Sequence, residues 1–256
     1  MSGTQGSQKA KREDGGLIET IKVIVQALLI AVVIRTFLFQ PFNIPSSSMV
    51  PTLLIGDYLF VSKYSYGFSK HSIPGSPSLF SGRILGSEPQ RGDVIVFKWP
   101  GDQSTDYIKR LIGLPGDHVQ MKDNLLYING TAVKKVPTGT EKGDAGAGMT
   151  EEFLYFNEEL PGGKVHLSQD KKNYFNVMGR NTPDFVVPPG NFFFMGDNRD
   201  NSSDSRFEVP YGVGMVPYEN LVGRAEVIFF SIDGSSWKLW EWPWSVRWSR
   251  IFNRIH

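Results

Sequence analysis

The sequence predicts a mainly β protein held by one N-terminal transmembrane helix, and three observations carry that expectation. A single long apolar run, residues 17–39, stands near the start of the 256-residue chain. Beyond it, short runs rich in Val, Ile, Phe and Tyr recur between clusters of Gly, Pro, Asn and Asp, as strands do between turns. One such turn is Asn129-Gly130, set between two apolar stretches as in a two-residue hairpin.

Composition narrows the function classes. The formal net charge is +1 and both signs are mixed along the chain, which leaves no basic footprint for a nucleic-acid backbone. There is no cysteine, which excludes disulfides, structural thiolate metal sites and a cysteine nucleophile together. The length suits one sizeable domain with an insertion.

Taken in order, residues 1–16 are Gly, Ser, Gln and charge, and predict a disordered segment carrying Lys9, Lys11 and Arg12. Residues 17–39 match the ~20 residues a bilayer span needs. Lys22 and Arg35 interrupt the run near its ends, where long cations reach the interface, and Pro41 ends the helix. No small-residue cleavage site follows, and residues 23–34 carry no polar face, so the run reads as an uncleaved anchor rather than a signal peptide or surface helix. The basic flank before it predicts an N-terminus in the cytoplasm and everything after Gln40 outside.

Strands are expected at residues 58–61, 93–98, around Lys109, at 125–133 as the hairpin, at 192–195 and at 223–233. Residues 66–90 form a long Gly-, Ser- and Pro-rich loop. Residues 121–185 turn more polar, with a Gly-rich patch at 139–148. The tail sets Trp237, Trp240, Trp242, Trp244 and Trp248 among Lys238, Arg247, Arg250 and Arg254, a mixture that suits lipid headgroups and, nearly as well, core packing.

Two stretches carry candidate chemistry. In Ile44-Pro45-Ser46-Ser47-Ser48-Met49-Val50-Pro51-Thr52-Leu53 two prolines restrict the backbone, which suits a hydroxyl held in one place; it equally describes a Ser-rich turn until a base is found. A candidate base lies in Tyr107-Ile108-Lys109-Arg110-Leu111-Ile112. The period of two sets Lys109 with Tyr107 and Leu111, and Arg110 with Ile108 and Ile112, so one of the two cations is expected to point inward. A buried lysine loses its proton readily; moving it from about 10.4 to about 8 takes roughly 3 kcal/mol.

These strings, with Gly113-Leu114-Pro115-Gly116-Asp117, Gly196-Asp197-Asn198-Arg199-Asp200-Asn201-Ser202-Ser203-Asp204-Ser205-Arg206 and the closing Ser249-Arg250-Ile251 and Ile255-His256, resemble bacterial type I signal peptidases in the family's order, from about residue 20 to the end. The resemblance implies a signal-peptidase-type β catalytic domain at residues 40–120 and 186–256 in the periplasm, with 121–185 an inserted accessory β region. It implies a membrane-anchored serine endopeptidase that removes signal peptides from exported preproteins after small residues, usually Ala, at the first and third positions before the cut. Ser48 would be the nucleophile and Lys109 the neutral base, with an oxyanion hole from the Ser48 N–H and the Ser46 hydroxyl. Ser202 would orient Lys109, Asp204 and Arg206 would form a supporting ion pair, and Asp197 and Arg199 would brace the same turn. Partners would be signal peptides, membrane phospholipid and, functionally, the secretion machinery.

Ile44, Met49, Leu53 and Tyr107 are the expected pocket-lining residues. Ser48 lies nine positions past Phe39, within about 30 Å of the span's end even if fully extended. No cofactor or metal is expected: the calcium-loop likeness of Asp197-Xaa-Arg199-Xaa-Asn201 has Ser202 in place of the required Gly and lacks the downstream Glu. Competing readings are a Ser-His-Asp hydrolase using His71, His118 or His166, and a non-catalytic membrane-tethered assembly module; a need for Lys109 separates both from the first.

Overall fold

The computed structural model describes residues 13–73, 75–77, 80–144, 150–172, 177–234, 240 and 242–256. Helix α1 (Glu13–Phe37) starts before the expected span, so residues 13–16 are helical, not disordered. Residues 1–12, including Lys9, Lys11 and Arg12, lie outside the described residues. The 22 residues Gly16–Phe37 are long and apolar enough to cross a membrane; at ~1.5 Å per residue they reach about 33 Å, their apolar stretch is not buried in the protein, and only at the C-terminal end do Thr36, which is buried, and Phe37, edge-on to Phe68, meet the β domain. The helix stops at Phe37 and the chain passes into β1 (Phe39–Asn43). Pro41 therefore sits inside a strand, on a sheet edge where its missing N–H costs no ladder bond.

The remaining strands are β2 (Asp57–Ser62), β3 (Val94–Lys98), β4 (Asp106–Gly113), β5 (His118–Lys122), β6 (Leu125–Ile128), β7 (Thr131–Ala132), β8 (Lys134–Asp144), β9 (Thr150–Glu159), β10 (Val165–Lys171), β11 (Phe185–Val186), β12 (Asn191–Met195), β13 (Val216–Pro217) and β14 (Leu221–Ser231). A seven-stranded sheet runs β1-β2-β14-β3-β4-β12-β13, a three-stranded sheet β10-β9-β8, and a four-stranded sheet β11-β5-β6-β7. Their pairings are antiparallel, and Asn129 and Gly130 take the positive φ of the tight hairpin turn between β6 and β7. The sequence boundaries 121 and 185 fall inside β5 and at β11, which pair with each other.

The long loop is tied down. Short helical turns form at Tyr64–Tyr66 and Lys70–Ser72, Phe68 bridges to Ile84, and the Arg83 guanidinium donates to the carbonyls of Tyr66, Gly67, Tyr218 and Leu221. In the tail, Trp240, Trp244 and Trp248 are exposed, the last two around the short helix α2 (Trp242–Ser245), whereas Trp237 and Lys238 lie outside the described residues. Arg247 and Arg250 do not reach toward headgroups as expected: buried Asp57 draws both inward, Arg250 at 2.6 Å.

The main sheet is covered on both faces around β4. Ile108 packs with Ile44, Met49 and Val96, Leu111 packs with Phe97 and Phe194, and Ile112 with Val119 and Met195. Lys109 (3% exposed) and Arg110 (0%) are consequently both buried, which corrects the expectation that only one of them points inward.

The three-stranded sheet is joined to the turn after β12 by a buried forked ion pair. Arg199 donates to Glu158 of β9 at 2.8 and 2.5 Å, and main-chain bonds link Gln169 to Asp197 and Arg199. Burial pushes the Glu158 carboxyl up, but Arg199, His166 and Lys135 together hold it below the ordinary value. Its stabilisation is therefore full above the unfolded value near 4.5 and is lost as pH falls through the lowered one. Glu158→Ala leaves Arg199 buried and unpaired, so it should destabilise by about 3–5 kcal/mol, read as a lower urea midpoint of the detergent-solubilised chain.

Candidate active site

The loop between β1 and β2 is closed at its base by main-chain bonds between Ile44 and Asp57 and between Gly56 and Ile44. Met49 and Leu53 are fully buried beneath it and anchor it to the core with Leu59 and Val61. Both also pack with Ile44, Val96 and Ile108, so they support the residues of the adjoining cleft from below. On the other side Asn198 grips it, its N–H donating to the Ser48 carbonyl at 3.1 Å and its side-chain amide to the Ser47 carbonyl at 3.0 Å. Gly196 permits this close approach, since a Cβ there would stand 2.5 Å from the Ser48 carbonyl oxygen and 2.3 Å from Ser202 Oγ.

Lys109 reaches the loop from β4. Its Nζ lies 2.6 Å from Ser48 Oγ, 2.9 Å from the Ile108 carbonyl oxygen and 5.6 Å from the centre of the Tyr107 ring. Burial lowers its pKa to about 8, against the opposing pull of Asp204 and Asp197, so about a tenth is neutral at pH 7 and about half at pH 8. Ser48 is itself buried, and the exposed Ser46 places its Oγ 3.4 Å from Ser48 Oγ. The pair thus presents a hydroxyl next to an amine whose lone pair can accept its proton.

Behind the pair, Arg206 forks onto Asp204 at 2.8 and 2.9 Å and donates to the Arg199 carbonyl, while Asp204 accepts from the Gly196 N–H. Burial pushes the Asp204 carboxyl up, yet Arg206 and the Gly196 N–H hold it below the usual carboxylate range. Asp197 pairs with Arg110 at 2.8 and 2.7 Å and accepts from Thr52 Oγ1 at 2.6 Å, and Arg199 turns away to Glu158. The half-buried Ser202 packs by Gly196, but its hydroxyl makes no hydrogen bond to Lys109, whose reach is taken by Ser48 and the Ile108 carbonyl.

Sequence reasoning gave no role to Thr52, Arg110, Glu158 or Asn198. Thr52, Arg110 and Asn198 were within the quoted strings, where proximity to Ser48 or Asp197 was the available signal; Glu158 lies in a strand with no local mark.

A cleft of about 530 Å³ opens over Ser48 and Lys109, between residues 42–48 on one side and 105–109 on the other. Ile44 and Tyr107 line this cleft, and Phe42, Val96 and Ile108, not named from the sequence, add apolar wall. Among the described residues no histidine lines this cleft. His118 is exposed and bound to Asp184, His71 is bound to Ser76, and His166 is buried between Glu158 and Asp197, where burial holds it well below its ordinary pKa. A histidine base for Ser48 is therefore absent from the geometry.

Residues 17–230 match the family model described as signal peptidase, peptidase S26. The chain is 42% identical to the signal peptidase I of Rickettsia typhi over 90% of each chain, and 39% identical to that of Rickettsia massiliae over 98% of this chain and 95% of the relative. Among solved structures it is similar to a signal peptidase I from Enterococcus faecalis, 29% identical over 54% of this chain and 97% of that one, at a TM-score of 0.32. The family match and the curated relatives together show that the chain belongs to the signal peptidase family, peptidase S26, as a serine peptidase that cleaves signal peptides from exported preproteins.

Proposed function

We propose that Ser48 is the nucleophile of this cleavage and Lys109 its neutral general base, a reading carried by the 2.6 Å contact between them in a buried setting. Lys109 takes the hydroxyl proton as Ser48 Oγ attacks the scissile carbonyl carbon. The oxyanion that forms is held by the Ser48 N–H and the Ser46 hydroxyl. The Lys109 ammonium then returns its proton to the leaving amine, which frees the mature chain and leaves the signal peptide esterified to Ser48. Lys109 next deprotonates a water that attacks the ester, releasing the signal peptide as a carboxylic acid and restoring Ser48. Asp204, Arg206, Asp197 and Arg199 keep the frame rigid, and Ser202, which packs beside Gly196, orients Lys109 as it gains the proton.

Preference for small residues at the first and third positions before the cut follows from steric exclusion by the apolar wall of Ile44, Tyr107, Val96 and Ile108. The chain is anchored by α1 with its N-terminus in the cytoplasm and its β domain in the periplasm. Support comes from the basic residues ahead of the helix and from β1, which follows α1 directly and borders the cleft. Phospholipid contact is supplied by exposed Trp240, Trp244 and Trp248, and the secretion machinery delivers the substrates. Residues 121–185 act as an accessory region that braces the catalytic turn through Glu158.

Ser48→Ala should abolish cleavage of a preprotein while the thermal transition is kept, and Ser46→Ala, which removes one oxyanion donor, should lower kcat by about 10²–10³. Lys109→Arg keeps the charge but cannot lose its proton at working pH, so it should be folded and inactive; substantial turnover would remove Lys109 as the base. For the orientation, protease added to intact spheroplasts should degrade the chain beyond Gln40 and spare a tag placed ahead of α1. Loss of the tag would reverse the topology.

A further inference from the structure

A second cavity, of about 870 Å³, lies between the active-site loop and the three-stranded sheet. Val50 and Leu54 form one wall, and Phe153, Tyr155 and Gln169 the other. It is continuous with the catalytic cleft, for Ser47 and Asn201 line both, and the 2.7 Å bond from Asn201 Nδ2 to Ser47 Oγ forms the ridge between them. The volume falls in the range of cavities that enclose a peptide-sized ligand.

Two buried groups in this second cavity lack partners. Gln169 and Asn198, each 3% exposed, line it, and neither the Gln169 Oε1 nor the Asn198 Oδ1 accepts a hydrogen bond within the protein. Buried amide oxygens are normally satisfied, so two unpartnered acceptors on residues that line one groove point to a ligand that brings donors and draws these side chains toward it. The carboxylates of the wall face a cation or a hydroxyl, Glu151 with Lys171 at 2.8 Å and Glu141 with the Tyr155 hydroxyl at 3.1 Å, whereas the two neutral amide oxygens face neither. An extended peptide backbone, with an N–H at every residue, fits that requirement.

Direction follows from the anchor. β1 borders the first cavity and continues straight from α1, so the membrane-embedded part of a substrate enters on that side. A chain whose scissile bond lies at Ser48 must leave on the opposite side of Ser47, where the second cavity begins. We propose that this groove is the binding site for the first residues of the mature chain, with Gln169 Oε1 and Asn198 Oδ1 accepting main-chain N–H bonds from it. The inference rests on Ser48 as nucleophile and gives the sheet β8-β9-β10 a part in substrate binding.

The test uses the detergent-solubilised full chain and two peptide series with the same residues before the cut, one carrying two residues after it and the other six. The ratio of kcat/KM for the longer over the shorter should be roughly threefold to tenfold per acceptor engaged in the parent chain. In Gln169→Met, which keeps the length and removes the amide acceptor, the ratio should fall toward that of the remaining acceptor; a ratio also cancels any loss of folded protein. Methylating the backbone nitrogens of the longer peptide one at a time should reduce the parent rate at one position after the cut, and at that position should cost nothing further in Gln169→Met. Equal rates for both lengths in the parent chain, or methylation costs that add fully to the substitution, would overturn the proposal. Failure to cleave either series would instead strike at the assignment of Ser48, so the two failures are distinct.

Discussion

Arg110 is the group on which the site's geometry depends. Fully buried in β4, it forks onto Asp197 and also donates to the carbonyls of Gly92 and His256 and to Thr52 Oγ1. One side chain thereby joins the central strand to the turn after β12, to the nucleophile's loop and to the last residue of the chain. A buried guanidinium is tolerable only when its donors are met, which is why these separate segments must converge on it.

The adjacent residue shows the opposite electrostatics. Arg110 has a carboxylate in direct contact, whereas the described hydrogen-bond partners of Lys109 are a hydroxyl and a main-chain carbonyl. Two cations side by side in one strand are thus divided by their partners: the paired one is structural, and burial pushes the other toward neutrality. Arginine could not take the second role, because no ordinary burial deprotonates it. The carboxylates Asp204 and Asp197 limit how far the pKa of Lys109 falls, and their own pairing with Arg206 and Arg110 moderates that pull.

The site was legible in the sequence to the extent that it is built from contiguous strings. Pro45 and Pro51 around the serines, and alternation through residues 107–112, are local signals, and they pointed to the groups that meet at Ser48. What was not legible depends on topology. Arg110 and Asp197 are 87 positions apart and Arg199 and Glu158 are 41 apart, and nothing at either end of these pairs names the other. That Met49 and Leu53 also anchor the loop shows only in its packing onto Leu59 and Val61, which are distant from the serines in the local pattern. The strand order was likewise hidden, because β14 inserts between β2 and β3 from far along the chain.

The central claim is that a lysine made neutral by burial activates Ser48. Its most direct measurement is kcat/KM against pH from 5 to 9, with a preprotein-derived peptide that has no group titrating in that range. Because this ratio reports ionisations of the free enzyme, the account predicts a single acidic limb that falls about tenfold per pH unit below an apparent pKa near 8. A profile that is flat from pH 6 to 8, or a limb centred near the histidine value of about 6.5 that disappears in one of His71→Ala, His118→Ala or His166→Ala, would contradict it.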